Sequence, residues 1–467
     1  MPPRFWVAST KPEGALRRVK ADSLGEEEGA FWRRVLAGQG PACIAGWGTS
    51  LNAVKVLLVT LYFPPAGGGG VQRPLKFATH LPGLGIETHV LAPDDPKWVH
   101  RDDDLAPPTQ AWIHRARYLG PKGRLPAEEL HGLQGLERAG RKAALAFRRV
   151  LVPDENVSWN VTAIPAAIRI ARREGIDVVM TTSPPTSVHL VGAAVQRATG
   201  ARWIADLRDS LVSNPHRRVE SRLVRAKEAT GETVARLVAR RADAVTAVSA
   251  PIADELRALG AKRVETIANG SDFEDFAGLR YTPGRRFRLT HTGSFFGKRS
   301  PRPILEALAG SETDIVARFV GDFRAADREW ATSLGLGDRL ELHPYLPRRR
   351  VLELQRDSEA LLLLIPESGG RGRAVLSAKV FEYIAAERPI LAAVPPAGAA
   401  AQLIRETGTG VVVAPDDVDG LRSALGTLES DWRAGKLNGT PLSPEVRRRV
   451  SRQARAEELA ELVRSLV

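Results

Sequence analysis

Cysteine is nearly missing from this chain: Cys43 is the one thiol in 467 residues. A lone thiol forms no intrachain disulfide and no cysteine-rich metal site. Burial and hydrogen bonding must then hold the fold, as in a reducing, cytoplasmic setting. Long apolar runs are missing too. A stretch such as ALLLLIP at 360–366 falls far short of the roughly 18 residues a membrane-spanning helix needs, and the N-terminus has no clean signal-peptide core. Aromatic residues make up only 6% and do not interleave with the basic ones, which removes the stacking platform of a single-strand nucleic-acid binder. Neither an H-E-x-x-H metal motif nor the Ser-His-Asp order of a hydrolase occurs.

What is present is the composition of a globular protein, 43% hydrophobic and 26% charged, with a net charge of +13 that favours anionic partners. The length exceeds one hydrophobic core and predicts two large domains. Residues 1–52 mix charges with scattered glycine and proline, and read as an N-terminal extension of unknown role, partly helical near Ala30–Leu36. From Val54, apolar segments alternate with amphipathic helical ones: KVLLVT, ETHVLAP, DVVMTT, RWIADL, ADAVTAVS and RVETIAN, then FRLTHTGS, IVARFVGD, RLELHPYL, EALLLLIP, PILAAVP and GVVVAPD. Parallel strands buried on both faces look like this. The pattern predicts an α/β fold of two Rossmann-like, doubly wound parallel-sheet domains, over 53–275 and 286–430, with C-terminal helices at 431–467 packing back on the first domain. Two basic helical segments, 138–151 and 217–241, suit either a solvated face or docking on an anionic membrane surface.

The stretch LYFPPAGGGGVQRPLKF, residues 61–77, follows an apolar strand with two prolines, four glycines and the start of a helix. It is not a Walker A loop, because no Gly-Lys-Ser/Thr follows. It is not a dinucleotide fingerprint either, since Gln72 stands where the third glycine belongs. What remains is a strand end, a loop that lets a ligand approach the backbone, and a helix N-terminus that offers N–H groups to an anion.

This stretch resembles the opening βαβ unit of retaining GT-B glycosyltransferases of family 4, and further segments resemble that family in the expected order. They are TTSPPTSVHL with RWIADLRDS, then ADAVTAVS with IANGSDFEDF, then THTGSFFGKRSPRP, and finally SAKVFEYIAAERPILAAV, so that about residues 54–430 are covered. The resemblance implies two lobes facing across a cleft, with a nucleotide-sugar donor held as substrate, no cofactor and no metal. Gly68, Gly69 and Gly70 then line the cleft, and a basic pair after the first strand of the second lobe clamps the donor diphosphate. Lys298 and Arg302 are the expected pair, with Arg299 close behind. Gly370 and Gly372 allow backbone approach, Ser377 caps the next helix, Lys379 pairs either with a phosphate or with the neighbourhood of Glu382, and Glu382 accepts hydrogen bonds from the ribose.

On the acceptor side the expected residues are Asp209, to orient or deprotonate a hydroxyl, with Arg208 and His189; a structural Arg208–Asp209 salt bridge and a core histidine are the alternatives. One departure stands out: the family's first glutamate, eight positions before Glu382, is Ala374. Arg371 or Arg373 is the expected substitute, which leaves the sugar open. The implied acceptor is lipid-linked, cell-envelope or exopolysaccharide material, met at the inner face of the membrane, with no nucleic acid expected. An epimerase of the same fold and a non-catalytic nucleic-acid- or nucleotide-binding protein are the alternatives.

Overall fold

The computed structural model describes residues 4–7, 17–20, 53–95, 99–121, 123, 134–212, 222–295, 298–437 and 439–467. Residues 1–53 form a unit separate from 54–467. In it, Arg4–Val7 and Arg17–Lys20 pair antiparallel, whereas the helix expected near Ala30–Leu36 lies outside the described residues, as do positions 217–221 of the second basic segment.

The larger unit is built on two parallel sheets. The first has seven strands: β1 (Lys55–Thr60), β2 (Glu87–Pro93), β3 (Trp112–Ala116), β4 (Val178–Ser183), β5 (Arg202–Leu207), β6 (Ala244–Ala247) and β7 (Val264–Thr266), in spatial order β3-β2-β1-β4-β5-β6-β7. The second has six: β8 (Phe287–Thr292), β9 (Ile315–Val320), β10 (Leu340–His343), β11 (Ala360–Leu364), β12 (Ile390–Ala393) and β13 (Gly410–Val413), in order β10-β9-β8-β11-β12-β13. The central strands are buried at nearly every position because helices cover both faces. Strand β3 was not legible as a strand. It is an edge strand with Trp112 59% exposed, and its sequence WIHRA lacks the apolar continuity of its neighbours.

Helix α1 (Gln72–His80) follows the glycine loop, and the closing helix of the chain, Arg452–Arg464, lies against it. That last helix seats Ala456, Leu459, Ala460 and Val463 among Val56, Leu58 and Ile86 of the first lobe. The chain thus crosses into the second lobe through the linker after β7 and ends back on the first.

One buried ion pair fixes the start of α1. The Asp206 carboxylate on β5 is wholly buried; it accepts from Arg73 Nε (3.0 Å) and Nη2 (2.7 Å), Thr182 Oγ1 (2.6 Å) and Thr246 Oγ1 (2.7 Å). The same guanidinium donates to the linker carbonyls of Ile267 (2.9 Å) and Ala268 (2.8 Å). Burial alone would raise the Asp206 carboxyl, but Arg73 and the two threonines outweigh it and hold it below the usual range. Removing one partner of such a pair leaves a buried charge uncompensated. Arg73→Met is therefore expected to cost about 3–5 kcal/mol in chemical denaturation at neutral pH. Because the folded carboxyl is depressed, this contribution is complete above the unfolded value of about 4 and is lost as pH falls through the folded one. Parent and variant should converge in acid, and a neutral-pH loss under about 1 kcal/mol would contradict the assignment.

Candidate active site

In open parallel sheets the binding crevice forms beyond the strand ends where the strand order reverses. Here the reversals fall between β1 and β4 in one sheet and between β8 and β11 in the other. The glycine loop leaves β1 and the Arg208–Asp209 loop leaves β5, beside β4. The loop carrying Gly293 and Arg299 leaves β8, and residues 366–377 leave β11.

Loops of the two lobes touch. A Cβ on Gly67 would meet the Tyr345 hydroxyl, so the second lobe approaches the glycine loop closely here. His100 stacks on Tyr345 with ring centroids 4.3 Å apart and lies 3.2 Å from Asp322. Ser249 donates to the Ala374 carbonyl (2.9 Å) and Asn269 to that of Leu376 (3.1 Å). Gly68 and Gly69 are exposed, and Gly70 packs beside Tyr62.

The basic pair differs from expectation. Lys298 points to solvent. Arg302 binds Asp327 (2.9 Å), and its guanidinium carbon lies 4.9 Å from the Trp330 ring centroid. The cations that converge are Arg299, 6% exposed, and Lys379 on helix α10 (Ala378–Ala385). Lys379 Nζ is buried and has no hydrogen-bond partner among the described residues. Its ammonium fills the space that a Cβ on Gly293 would take, and Gly293 itself sits at φ +123°. Burial, then repulsion from Arg299, pushes the Lys379 pKa far down; burial also lowers Arg299. His291, buried behind them on β8, is depressed by burial, Lys379 and Arg299 together. Two buried basic side chains thus meet at this place, with Glu382 and Asp209 the carboxylates whose charges reach them.

Ser377 occupies the N-cap position of α10, but its hydroxyl accepts no helix N–H, which corrects the expected cap. Its Oγ is buried without a partner among the described residues. Glu382, on the same helix, is 12% exposed and salt-bridged to Arg348 Nη1 at 2.7 Å; its other oxygen accepts from Gln355 Nε2 at 2.6 Å. Burial would raise this carboxyl, and Arg348 and Gln355 more than reverse the effect. Gly370 sits at the start of the short turn Arg371–Ala374, in which Gly372 is buried. The expected substitutes for the missing glutamate have partners of their own: Arg371 lies 3.5 Å from Glu228 of the first lobe and Arg373 lies 3.3 Å from Glu367.

In the first lobe, Arg208 donates to the carbonyls of Ser183 (2.6 Å) and Gly70 (2.5 Å), bracing the glycine loop. Asp209 is half-buried; burial lifts its carboxyl, and the charges of Arg208 and Arg299 pull the other way. It is thus a carboxylate that feels cations from both lobes, as Asp275 of the linker also does. His189 is wholly buried, 2.9 Å from Thr181 Oγ1, and burial brings its pKa to about 4. It belongs to the core and takes no part in the cleft surface. Sequence reasoning missed Arg348, Gln355 and Asp102. Arg348 lies in the run PRRRVLELQR beside Arg349 and Arg350, which pair with Glu353 at the surface, and nothing in the sequence separates the three.

Two parallel-sheet lobes whose strand-order reversals face one another define the GT-B class. Residues 68–270 match the glycosyl transferase 4-like domain family. Among solved structures, sucrose-phosphate synthase from Thermosynechococcus elongatus is similar with a TM-score of 0.61 at 16% identity, over 88% of this chain and 99% of that one. HepE of Anabaena, solved with UDP-glucose, is similar at 0.59 and 15% identity, over 88% and 99%. The lipopolysaccharide outer core galactosyltransferase WaaB gives 0.55 and 12%, over 89% and 100%. Comparison with curated proteins found no match. The chain carries a glycosyl transferase 4-like domain within a GT-B fold, and it is a glycosyltransferase.

The packing of Gly293 on Lys379 is directly testable. Gly293→Ala is expected to lower stability by about 1–3 kcal/mol from backbone strain alone and to displace the ammonium. Thermal denaturation should show the loss, and an unshifted midpoint would contradict the described contact.

Proposed function

We propose that this glycosyltransferase moves a sugar from a nucleoside diphosphate donor to a lipid-linked or saccharide acceptor of the cell envelope, with retention of configuration and without a divalent cation. The observation that carries the reading is the buried Lys379 ammonium, without a hydrogen-bond partner among the described residues and close enough to Arg299 to depress its own pKa. Burying an uncompensated ammonium is costly, and a diphosphate at this place would relieve the cost. As the bond between the anomeric carbon and the β-phosphate oxygen breaks, the electron pair goes to that oxygen. Lys379, Arg299 and the Ser377 hydroxyl would receive the charge.

Glu382 keeps acceptor capacity on both oxygens for the ribose hydroxyls. Asp209 would orient the acceptor hydroxyl, whose proton passes to the departing phosphate as the new glycosidic bond forms on the same face. The resemblance to retaining enzymes of family 4 motivates the stereochemistry, which NMR of the product's anomeric carbon would decide. HepE was solved with UDP-glucose, so UDP and UDP-sugars are the first ligands to try.

A membrane as the place where the acceptor is met has its own support. In helix α2 (Gly135–Val150) Arg148 is turned inward, held by the Gly123 carbonyl (2.9 Å) and Glu155 (3.3 Å). The apolar positions Leu136, Ala139, Ala143, Ala146 and Val150, spaced three and four apart on one face, are all exposed, Leu136 by 93% and Val150 by 70%. Exposed Arg138 and Lys142 flank this stripe, an arrangement suited to an anionic bilayer surface.

Three outcomes are expected. Lys379→Met should weaken UDP binding about 10- to 100-fold by calorimetry, with Lys298→Met and Arg302→Met within about threefold of the parent, and EDTA without effect. Equal affinity in Lys379→Met would remove this residue from the site. Because the free ammonium is depressed and a phosphate raises it, UDP binding should take up protons, seen as a buffer-dependent heat of binding that Lys379→Met abolishes; proton release would refute the assignment. Vesicles of phosphatidylcholine with phosphatidylglycerol should sediment the parent and not the L136D/V150D variant. Equal sedimentation of both would end the membrane proposal, and an epimerised UDP-sugar without transfer would identify the epimerase alternative.

A further inference from the structure

We propose that Asp102 is a positioning residue that ties the orientation of Glu382 to closure of the two lobes; the proposal rests on the donor-site reading above. Helix α9 (Arg348–Arg356) begins after Pro347, which supplies no side-chain cap. The N–H groups of a first turn need acceptors, and a carboxylate there also meets the positive end of the helix dipole. In this helix the acceptor comes from the other lobe: Arg348 N donates to Asp102 Oδ2 at 3.0 Å.

Asp102 is 3% exposed and itself fixed to the glycine-loop region. Its Oδ1 accepts from Asp104 N at 3.2 Å, and its own N donates to the Pro65 carbonyl at 2.9 Å. The adjoining His100 carbonyl accepts from Gly67 N at 2.8 Å. The carboxylate therefore reports the position of the first lobe to the first residue of α9.

From α9 the information has a short way to go. Arg348 and Gln355 lie seven positions, two turns, apart on one helix face. Both hold Glu382, one on each oxygen. The second arm of Arg348 binds Asp275 of the linker at 2.8 Å, and Gln355 also donates to Thr292 Oγ1 at 2.8 Å. Glu382 is thus fixed by a single helix whose N-terminus is capped only when the lobes are together. Opening the cleft would leave that N–H without its carboxylate and free α9 to shift, carrying the carboxylate oxygens away from where ribose hydroxyls meet them.

The test is a double-mutant cycle between residue 102 and the ribose. UDP and 2′,3′-dideoxy-UDP are titrated into the parent, Asp102→Ala and Asp102→Asn. The parent should prefer UDP. Asp102→Ala should lose about tenfold in UDP affinity and far less for the dideoxy ligand, so that the preference shrinks. Asp102→Asn, whose amide oxygen still accepts the Arg348 N–H, should restore most of it. An equal loss for both ligands, or no loss in a folded Asp102→Ala, overturns the proposal. If alanine does not fold, Asp102→Ser, one bond shorter toward Arg348, is read by the same criterion. If the parent binds none of UDP, GDP, ADP and dTDP, the donor-site reading itself falls and this inference with it. Binding by the parent with no coupling between residue 102 and the ribose removes this inference alone.

Discussion

A lysine nitrogen buried without a hydrogen-bond partner among the described residues is the constraint on which this molecule turns. A buried ammonium ordinarily finds a carboxylate or loses its proton. Lys379 has no hydrogen-bond partner among the described residues, and its neighbour Arg299 is itself buried. Several local features serve this arrangement. Gly293 leaves room for the ammonium, and β8 places His291 behind it, kept neutral by burial and by the two cations. Ser377 leaves its hydroxyl and the first N–H groups of α10 uncommitted to each other. Two other buried charges are closely paired: Asp206 with Arg73 at 2.7 Å and Glu359 with Arg288 at 2.8 Å.

Several polar contacts cross between the lobes: Asp102 on α9, Ser249 on Ala374, Asn269 on Leu376 and the His100–Tyr345 stack. Contacts of this kind cost little to separate, since each group regains water on opening. The ends of the linker are anchored more firmly: Arg73 grips its start from inside the first lobe, and Arg452 N donates to Ser271 O at 3.1 Å as the last helix returns.

Much of the fold was legible because parallel strands buried on both faces leave continuous apolar runs. KVLLVT and ALLLL are visible without any knowledge of neighbours. WIHRA was not, because an edge strand in contact with water has little apolar pattern to show. The glycine stretch announced a site, yet the space beside Gly67 is taken by the Tyr345 hydroxyl from the other lobe, far along the chain. The loop after β8 was also found, but not its working residue. Lys298 and Arg299 are adjacent cations with the same local context, and only the path of the backbone turns one outward and the other inward.

By itself the sequence determined the class of fold, the two parallel sheets and the loops from which a site would be made, since these follow from apolar periodicity and turn chemistry over short distances; the antiparallel pair Arg4–Val7 and Arg17–Lys20 was not among its expectations. Which cation faces the cleft was decided in three dimensions, and so was the alliance of Arg348 and Gln355 with Glu382. The removal of His189 to the core and the capping of one lobe's helix by the other lobe's Asp102 belong there too. Each depends on groups far apart in the chain meeting in a low-dielectric space, and burial, which sets the strength and sign of their effects, is a property of the whole packed molecule.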